Sequence, residues 1–229
     1  MGTDISEFKH ILSITESYGA RLTAVSKTKP VRDIFTLYQA GQKVFGENYV
    51  QELVEKQGVL PEDIQWHFIG HLQTNKVKYI APFVSMIHSV DDLKLLREID
   101  KQAGKCNRII DCLLQIHIAT EETKFGMDEN ELIHLLKEVM VHPENYHHIR
   151  LCGLMGMATN TDDTILIRRE FHTLKALSEN VRNKYIAHPQ YFTELSMGMS
   201  HDYLIALEEG STLLRIGSLL FGKRDNKQV

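Results

Sequence analysis

The sequence predicts a single (β/α)₈ barrel that covers residues 1–229. The length of 229 residues is close to the size at which eight strand-helix units close. Eight short β-rich runs recur along the chain, most of them followed by a segment with helical periodicity. No linker rich in Gly, Ser or Pro divides the chain, so one domain is expected. An open doubly wound sheet stays the alternative, because periodicity cannot show that a sheet closes.

The predicted strands and helices alternate in the order that a parallel sheet requires. A leading helix is predicted over residues 5–18, and crossover helices over 32–40, 50–56, 91–103, 129–141 and 163–184, because each carries apolar residues at spacings of three and four. The predicted helix N-caps are Asp91, Asp128 and either Asp162 or Asp163. The eight predicted strands are 22–26, 44–46, 66–69, 86–90, 112–118, 151–157, 191–197 and 213–216.

Composition and charge indicate a globular protein without nucleic-acid or membrane partners. Apolar residues make up 43% and charged residues 24% of the chain, with a formal net charge of -4. A basic cluster occurs near the C-terminus, but Asp225 interrupts it and a solvated tail is the expected explanation. This cluster comprises Lys223, Arg224 and Lys227.

Cysteine usage and the N-terminal segment favour the cytoplasm. The three cysteines are widely spaced and form no CxxC pair, which fits a reducing compartment. Cys112 and Cys152 lie in apolar runs and are expected to be buried. The N-terminal segment carries acidic residues where a signal peptide has basic ones, and no apolar run is long enough to span a bilayer.

A lysine follows the first predicted strand. Active sites of βα barrels collect at the C-terminal ends of the strands. Thr23, Val25 and Lys27 share one face by the two-residue period of a strand, so Lys27 is expected above the packed barrel interior, where a Schiff base could form. Lys29 could supply a neighbouring cation that favours the neutral amine. The alternative is a side chain that merely extends from the strand end into solvent.

Two glycine-serine loops predict an anion site. Barrels commonly bind phosphate in the loops after strands seven and eight, through backbone amides, small hydroxyls and a helix N-terminus. Here those loops contain Gly198, Ser200, Gly217 and Ser218. Gly allows close approach of the backbone to an anion, and Ser adds a donor. Either loop alone is a weak signal, whereas both at the expected strands are moderately specific.

Arg215 is expected to point inward from strand eight. A buried guanidinium needs acceptors for its hydrogen bonds, and a ligand ring nitrogen would be suitable. The alternative is a salt bridge from Arg215 to Glu47 inside the barrel mouth. His67 and His71 stand four residues apart but bracket a strand, so a zinc site is weakly indicated and no metal is expected.

Four longer segments of the sequence resemble the YggS/PROSC family of pyridoxal 5′-phosphate (PLP) homeostasis proteins. These are AVSKTKP at 24–30, FGENYVQE at 45–52, WHFIGHLQ at 66–73 and LSMGMS at 195–200, and the match continues to residue 222. The resemblance implies a barrel like the N-terminal domain of alanine racemase. Ser218 stands where many members have Thr, which retains the hydroxyl, and His71 replaces a Pro found in some members.

The resemblance also implies a role for each predicted site residue. Lys27 matches the lysine that carries PLP, and Asn48 would lie beside the ring. Arg215 would face the pyridine nitrogen, and three residues would hold the phosphate. These three are Ser200, Gly217 and Ser218.

The expected function is PLP homeostasis inside the cell, by a non-catalytic carrier with PLP as a Schiff base on Lys27. Apo PLP-dependent enzymes are candidate recipients, and a monomer or weak homodimer is expected. The alternative is an amino-acid racemase of the alanine racemase type, which needs acid/base groups on both faces of the substrate carbon. In alanine racemase a tyrosine and an additional domain contribute to that chemistry, so racemisation here should be slow or absent. A regulatory module that acts through protein contacts is a third hypothesis.

Overall fold

The structure, a computed structural model, describes residues 3–121 and 125–222. Eight parallel strands form a closed barrel in chain order, so the open doubly wound sheet is wrong. Strands β1 and β8 close the barrel, and Thr23 pairs with Arg215 across this join. The strands are β1 (Arg21–Val25), β2 (Val44–Glu47), β3 (Gln65–Phe68), β4 (Met86–Val90), β5 (Ile110–Ile116), β6 (Ile149–Gly156), β7 (Glu194–Ser196) and β8 (Leu213–Ile216).

The strand predictions are correct in number and order, with one substantial error of length. Strand β7 was predicted from Tyr191 but begins at Glu194. The backbone N–H of Tyr191 instead donates to the carbonyl of His188 at 3.0 Å in a turn. The β-prone residues Tyr191 and Phe192 extended the predicted strand into this turn, in which Phe192 is buried.

Helices surround the barrel and follow the predicted order. The described helices are α1 (Ile5–Ser17), α2 (Val31–Gln39), α3 (Val50–Gln57), α4 (Val77–Ile80), α5 (Leu93–Lys105), α6 (Glu129–Val141), α7 (Thr164–Tyr185), α8 (Tyr203–Glu208) and α9 (Ser218–Phe221). Two 3₁₀ turns, Thr74–Lys76 and Pro143–Asn145, complete them. Helices α4, α8 and α9 were not predicted, because four to six residues are too few to show helical periodicity.

Helix caps agree with the predictions except at α5. Asp128 and Glu131 form a reciprocal capping box at α6, and Asp163 rather than Asp162 caps α7. The expected cap Asp91 is wrong, since the carboxylate of Asp92 accepts the Leu95 N–H at 2.6 Å. The sequence could not distinguish Asp91 from Asp92 as the N-cap of α5, because the two aspartates are consecutive.

The buried core includes both cysteines that were expected there, Cys112 and Cys152. It fills the barrel interior and the space between sheet and helices. In the described ranges no helix has the length and apolarity needed to cross a bilayer. The C-terminal basic cluster lies outside the described residues, so its predicted character is untested.

Candidate functional site

A cavity of about 280 Å³ opens at the C-terminal ends of the strands. This volume lies just below the range of about 300–1,000 Å³ that is typical of small-molecule sites. All six residues predicted from the sequence line this one cavity. They are Lys27, Asn48, Ser200, Arg215, Gly217 and Ser218.

A tight turn carries Lys27 from the end of β1 to the cavity. The N–H of Lys29 donates to the carbonyl of Ser26 at 3.0 Å, and Thr28 adopts a left-handed φ of +64°. A non-glycine residue rarely takes this conformation unless its surroundings hold it. The Thr28 N–H donates to the Glu52 carboxylate at 2.6 Å, which supplies such a constraint.

A buried ion cluster fixes the base of this turn. The ammonium of Lys56 donates to the carbonyl of Ser26 at 2.7 Å and to the carboxylates of Glu47 and Glu52 at 2.7 and 2.6 Å. The Ser26 hydroxyl also donates to Glu47, at 2.6 Å. Burial raises the pKa of Glu47, while Lys56 opposes that rise. We call this cluster the turn clamp: Ser26, Glu47, Glu52 and Lys56.

Lys29 lines the cavity and contacts the backbone at the C-terminal end of α9. Its ammonium donates to the carbonyls of Phe221 and Gly222, at 2.9 and 3.0 Å. Cations commonly bind carbonyls where a helix ends, and α9 ends here. The expected effect of Lys29 on the amine of Lys27 stays a prediction.

The two glycine-serine loops border the same cavity, as the anion-site prediction requires. Gly198 has a φ of +94°, and a Cβ there would lie 2.6 Å from the Cβ of Ala206. A Cβ on Gly217 would lie 3.1 Å from the carbonyl oxygen of Val25. Gly198 therefore allows its loop to pack closely against Ala206, and Gly217 allows its loop to pack closely against β1. Ser218 begins α9, so its backbone N–H belongs to the helix turn that lacks intrahelical acceptors.

Arg215 is buried and its guanidinium has two neutral acceptors. Nη1 donates to the hydroxyl of Ser196 at 2.6 Å and Nη2 to the carbonyl of Gly156 at 3.0 Å. The alternative of a salt bridge to Glu47 is wrong, because Glu47 binds Ser26 and Lys56 in the turn clamp. Burial lowers the pKa of Arg215 to about 10, so the group keeps its charge at neutral pH.

Two buried histidines extend the hydrogen bonding beyond Ser196, on the side away from Arg215. His88 Nδ1 lies 3.0 Å from the Ser196 hydroxyl, and His88 Nε2 lies 2.9 Å from His67 Nδ1. Burial lowers the pKa of His67 to about 3 and that of His88 well below its ordinary value, so both rings are neutral. Sequence reasoning did not identify His88 or the role of Ser196. Only the barrel register brings these side chains together.

The two histidines that weakly indicated a zinc site, His67 and His71, have separate partners. His67 contacts His88, whereas His71 stacks on Phe125 with ring centroids 4.6 Å apart and lies 3.6 Å from Asp91. The part of the chain that the structure describes contains no group of three His, Cys, Asp or Glu side chains placed to hold a metal ion.

Asn48 supplies a buried acceptor without a partner at the cavity. Its Oδ1 accepts no hydrogen bond from any described residue. Leaving a buried acceptor unpaired costs about 1–3 kcal/mol, which a donor group on a ligand would offset. The rest of the wall is partly apolar, from Ile69, Met157 and Met199, which the sequence did not single out. The cavity thus combines an amine, a guanidinium, hydroxyls and an apolar surface suited to a ring.

Comparison with known proteins places this geometry in a family. The family model described as alanine racemase, N-terminal domain, matches residues 6–225. The pyridoxal phosphate homeostasis protein of Aquifex aeolicus is 42% identical over 207 residues, covering 90% of this chain and 87% of the relative. The chain belongs to the family of pyridoxal phosphate homeostasis proteins.

Relatives of this family occur in bacteria and in a eukaryote. The pyridoxal phosphate homeostasis protein of Schizosaccharomyces pombe is 35% identical over 210 residues, with 90% of this chain and 85% of the relative covered. The solved structure of PipY from Synechococcus elongatus with PLP bound has a TM-score of 0.82 and 32% identity, over 96% of this chain and all of that chain.

Similarity to alanine racemase concerns the fold alone. The alanine racemase of Bartonella henselae superposes with a TM-score of 0.69 at 14% identity, and the match covers 95% of this chain but 62% of that one. The expected alanine racemase-like barrel is therefore confirmed.

Proposed function

We propose that this protein binds PLP and serves PLP homeostasis, with the cofactor carried as a Schiff base on Lys27. The observation that carries the proposal is the meeting of Lys27, Arg215 and both glycine-serine loops in one cavity. A PLP-bound structure of the relative PipY and the names of the curated relatives support the choice of ligand.

Each polar group of the cavity suits one part of PLP. The amine of Lys27 suits the aldehyde, and Ser200, Gly217 and Ser218 suit the phosphate. Arg215 suits the pyridine nitrogen, and Asn48 suits a position beside the ring. The buried, unpartnered Oδ1 of Asn48 and the donor-rich loops are the observations that fit this ligand.

A carrier role is favoured over racemisation by the residues that line the cavity. A guanidinium donor would leave the pyridine nitrogen largely unprotonated, but catalytic PLP sites use an arginine partner as well, so the distinction rests on the acid/base groups. Among the described residues that line the cavity, none is a tyrosine. We accordingly propose a non-catalytic carrier, with apo PLP-dependent enzymes as recipients, a cytoplasmic location and a single domain that is monomeric or weakly dimeric.

The decisive experiment is reduction of the PLP-loaded protein with borohydride, followed by peptide mass mapping. We expect a yellow protein whose reduced adduct maps to Lys27. Lys27→Ala should lose the covalent adduct, while Lys29→Ala should keep it on residue 27. A protein that takes up no PLP, or an adduct on residue 29, would refute the proposal.

Racemase activity is tested separately by incubating the loaded protein with single amino-acid enantiomers. The carrier proposal predicts no rapid inversion. It also predicts that PLP reaches an apo-enzyme faster than it is released to solution, which rapid mixing can measure.

A further inference from the structure

The buried residues behind Arg215 form a hydrogen-bond chain with a defined direction. Arginine only donates, so the Ser196 hydroxyl must accept from Nη1. If His88 Nδ1 also donated to Ser196, the hydroxyl hydrogen would have no acceptor among the described residues in a fully buried site. The satisfied arrangement therefore has Ser196 donating to His88 Nδ1, and His88 Nε2–H donating to His67 Nδ1.

We propose that Ser196, His88 and His67 are positioning residues that hold the Arg215 guanidinium at the floor of the cavity through this directed chain. The proposal rests on the proposed function, because it assumes that Arg215 faces the bound cofactor. None of the three side chains lines the cavity, so they act through Arg215.

The hydrogen-bond chain holds Arg215 without neutralising the positive charge of its guanidinium. A carboxylate partner would offset the guanidinium charge through a bidentate pair. Here the acceptors are a hydroxyl and a carbonyl, and no carboxylate of the described residues lies within salt-bridge distance of Arg215. Asp202 acts on it only through space. The positive charge therefore stays available to the cavity, and the five-donor guanidinium retains N–H groups for a ligand.

The three residues of the hydrogen-bond chain lie on three different strands, so the chain can hold Arg215 against displacement. His67 lies on β3, His88 on β4 and Ser196 on β7, while Arg215 lies on β8. All are buried inside the barrel. The bond between His88 and Ser196 crosses the barrel interior from β4 to β7, while the other two bonds join neighbouring strands. Displacement of Arg215 would break its bond to Ser196 on the next strand. Removing one hydrogen bond of this chain should allow the flexible side chain of Arg215 to leave its single position.

The test uses Ser196→Ala, with Ser89→Ala as the matched control. Ser89 is also buried, and its hydroxyl has no partner among the described residues. We expect Ser196→Ala to weaken PLP binding about tenfold and to shift the absorbance maximum of bound PLP, since hydrogen bonds to charged groups are strong. Ser89→Ala should change neither. Equal PLP affinity and absorbance for Ser196→Ala and the wild type would overturn the inference.

A second background tests whether Ser196 acts through Arg215. In Arg215→Leu, the further change Ser196→Ala should leave the PLP absorbance maximum and affinity unchanged, whereas independent effects would add. Additive losses would refute the positioning role. Wild-type protein that binds no PLP would instead refute the proposed function itself.

Nitrogen NMR of the wild-type holo-protein gives a measurement that needs no variant. We expect His88 to carry its hydrogen on Nε2 and to leave Nδ1 unprotonated. The opposite tautomer would reverse the chain and contradict the proposal.

Discussion

Gly198 shows how a single residue sets the path of a loop, because it directly precedes Met199 and Ser200, which line the cavity. Its φ of +94° suits glycine, and an added Cβ would also lie 2.6 Å from Ala206 and 2.8 Å from Leu214 side-chain atoms. The site therefore combines backbone strain with steric exclusion. Gly41 has a similar φ of +106° but open space around the position of a Cβ.

We predict that Gly198→Ala destabilises the protein more than Gly41→Ala. Backbone strain should cost roughly 1–2 kcal/mol in both variants. Overpacking should add about 1–3 kcal/mol at Gly198 alone. Urea unfolding monitored by circular dichroism measures the difference, and equal losses would show that the loop relaxes around the new methyl group.

At the level of residues, the sequence predicted which side chains lie at the C-terminal ends of the strands but not the hydrogen-bond partners of those side chains. The period of two and the chain position were enough to predict Lys27, Arg215 and the two glycine-serine loops at one site. The partner of Arg215 was not predicted, because Glu47 was the one protein acceptor considered and the contact with Ser196 depends on the packing of side chains inside the barrel. The turn clamp decides the outcome, since it uses Glu47 for the ammonium of Lys56.

The element most dependent on a few contacts is the turn after β1. The turn clamp joins this turn to β2 and α3 through the ammonium of Lys56, which is almost fully buried. Removing one partner of a buried ion pair leaves an uncompensated charge, which typically costs about 3–5 kcal/mol.

We predict that Lys56→Met lowers the free energy of unfolding by about 3–5 kcal/mol. The double variant Lys56→Met with Glu47→Gln should recover part of this loss, because the buried carboxylate is then absent. Chemical denaturation checks both values. If the double variant is less stable than the single one, the carboxylate of Glu47 contributes through contacts other than Lys56.

Among the elements, strands and long helices were predictable while the short helices were not. A run of eight or more residues displays its periodicity, and α2, α3, α5, α6 and α7 were found within two residues at each end. Helices α8 and α9 follow the two glycine-serine loops of the predicted anion site, so the prediction lacked the helices that continue the chain after these loops.

For the molecule as a whole, the two neutral histidines inside the barrel predict sensitivity to acid. The pKa of His67 is about 3 and that of His88 is also far below normal. Below about pH 6.5 the unfolded chain binds protons that the folded protein does not, so stability falls as the pH falls. Between pH 7 and pH 5 His67 should remove about 2 kcal/mol of stability, and His88 acts in the same direction.

The measurement is the free energy of unfolding at pH 7 and at pH 5. Buried carboxyls with a raised pKa, such as those of Glu47 and Asp202, act in the opposite direction over the same interval. The variant His67→Gln isolates one histidine, and its loss of stability between the two pH values should be about 2 kcal/mol smaller than that of the wild type. An unchanged difference would mean that His67 is protonated in the folded protein.

Barrel closure is the one global property that periodicity could only favour, and pairing between β1 and β8 settles it. The same pairing has a consequence for biosynthesis. Lys27 precedes strand β8 and the Gly217 loop in the chain, so it leaves the ribosome before them. Under the proposed function, a nascent chain exposes the Lys27 amine before the loop that would bind the phosphate has been made, so stable cofactor binding should begin only after translation has passed the eighth strand.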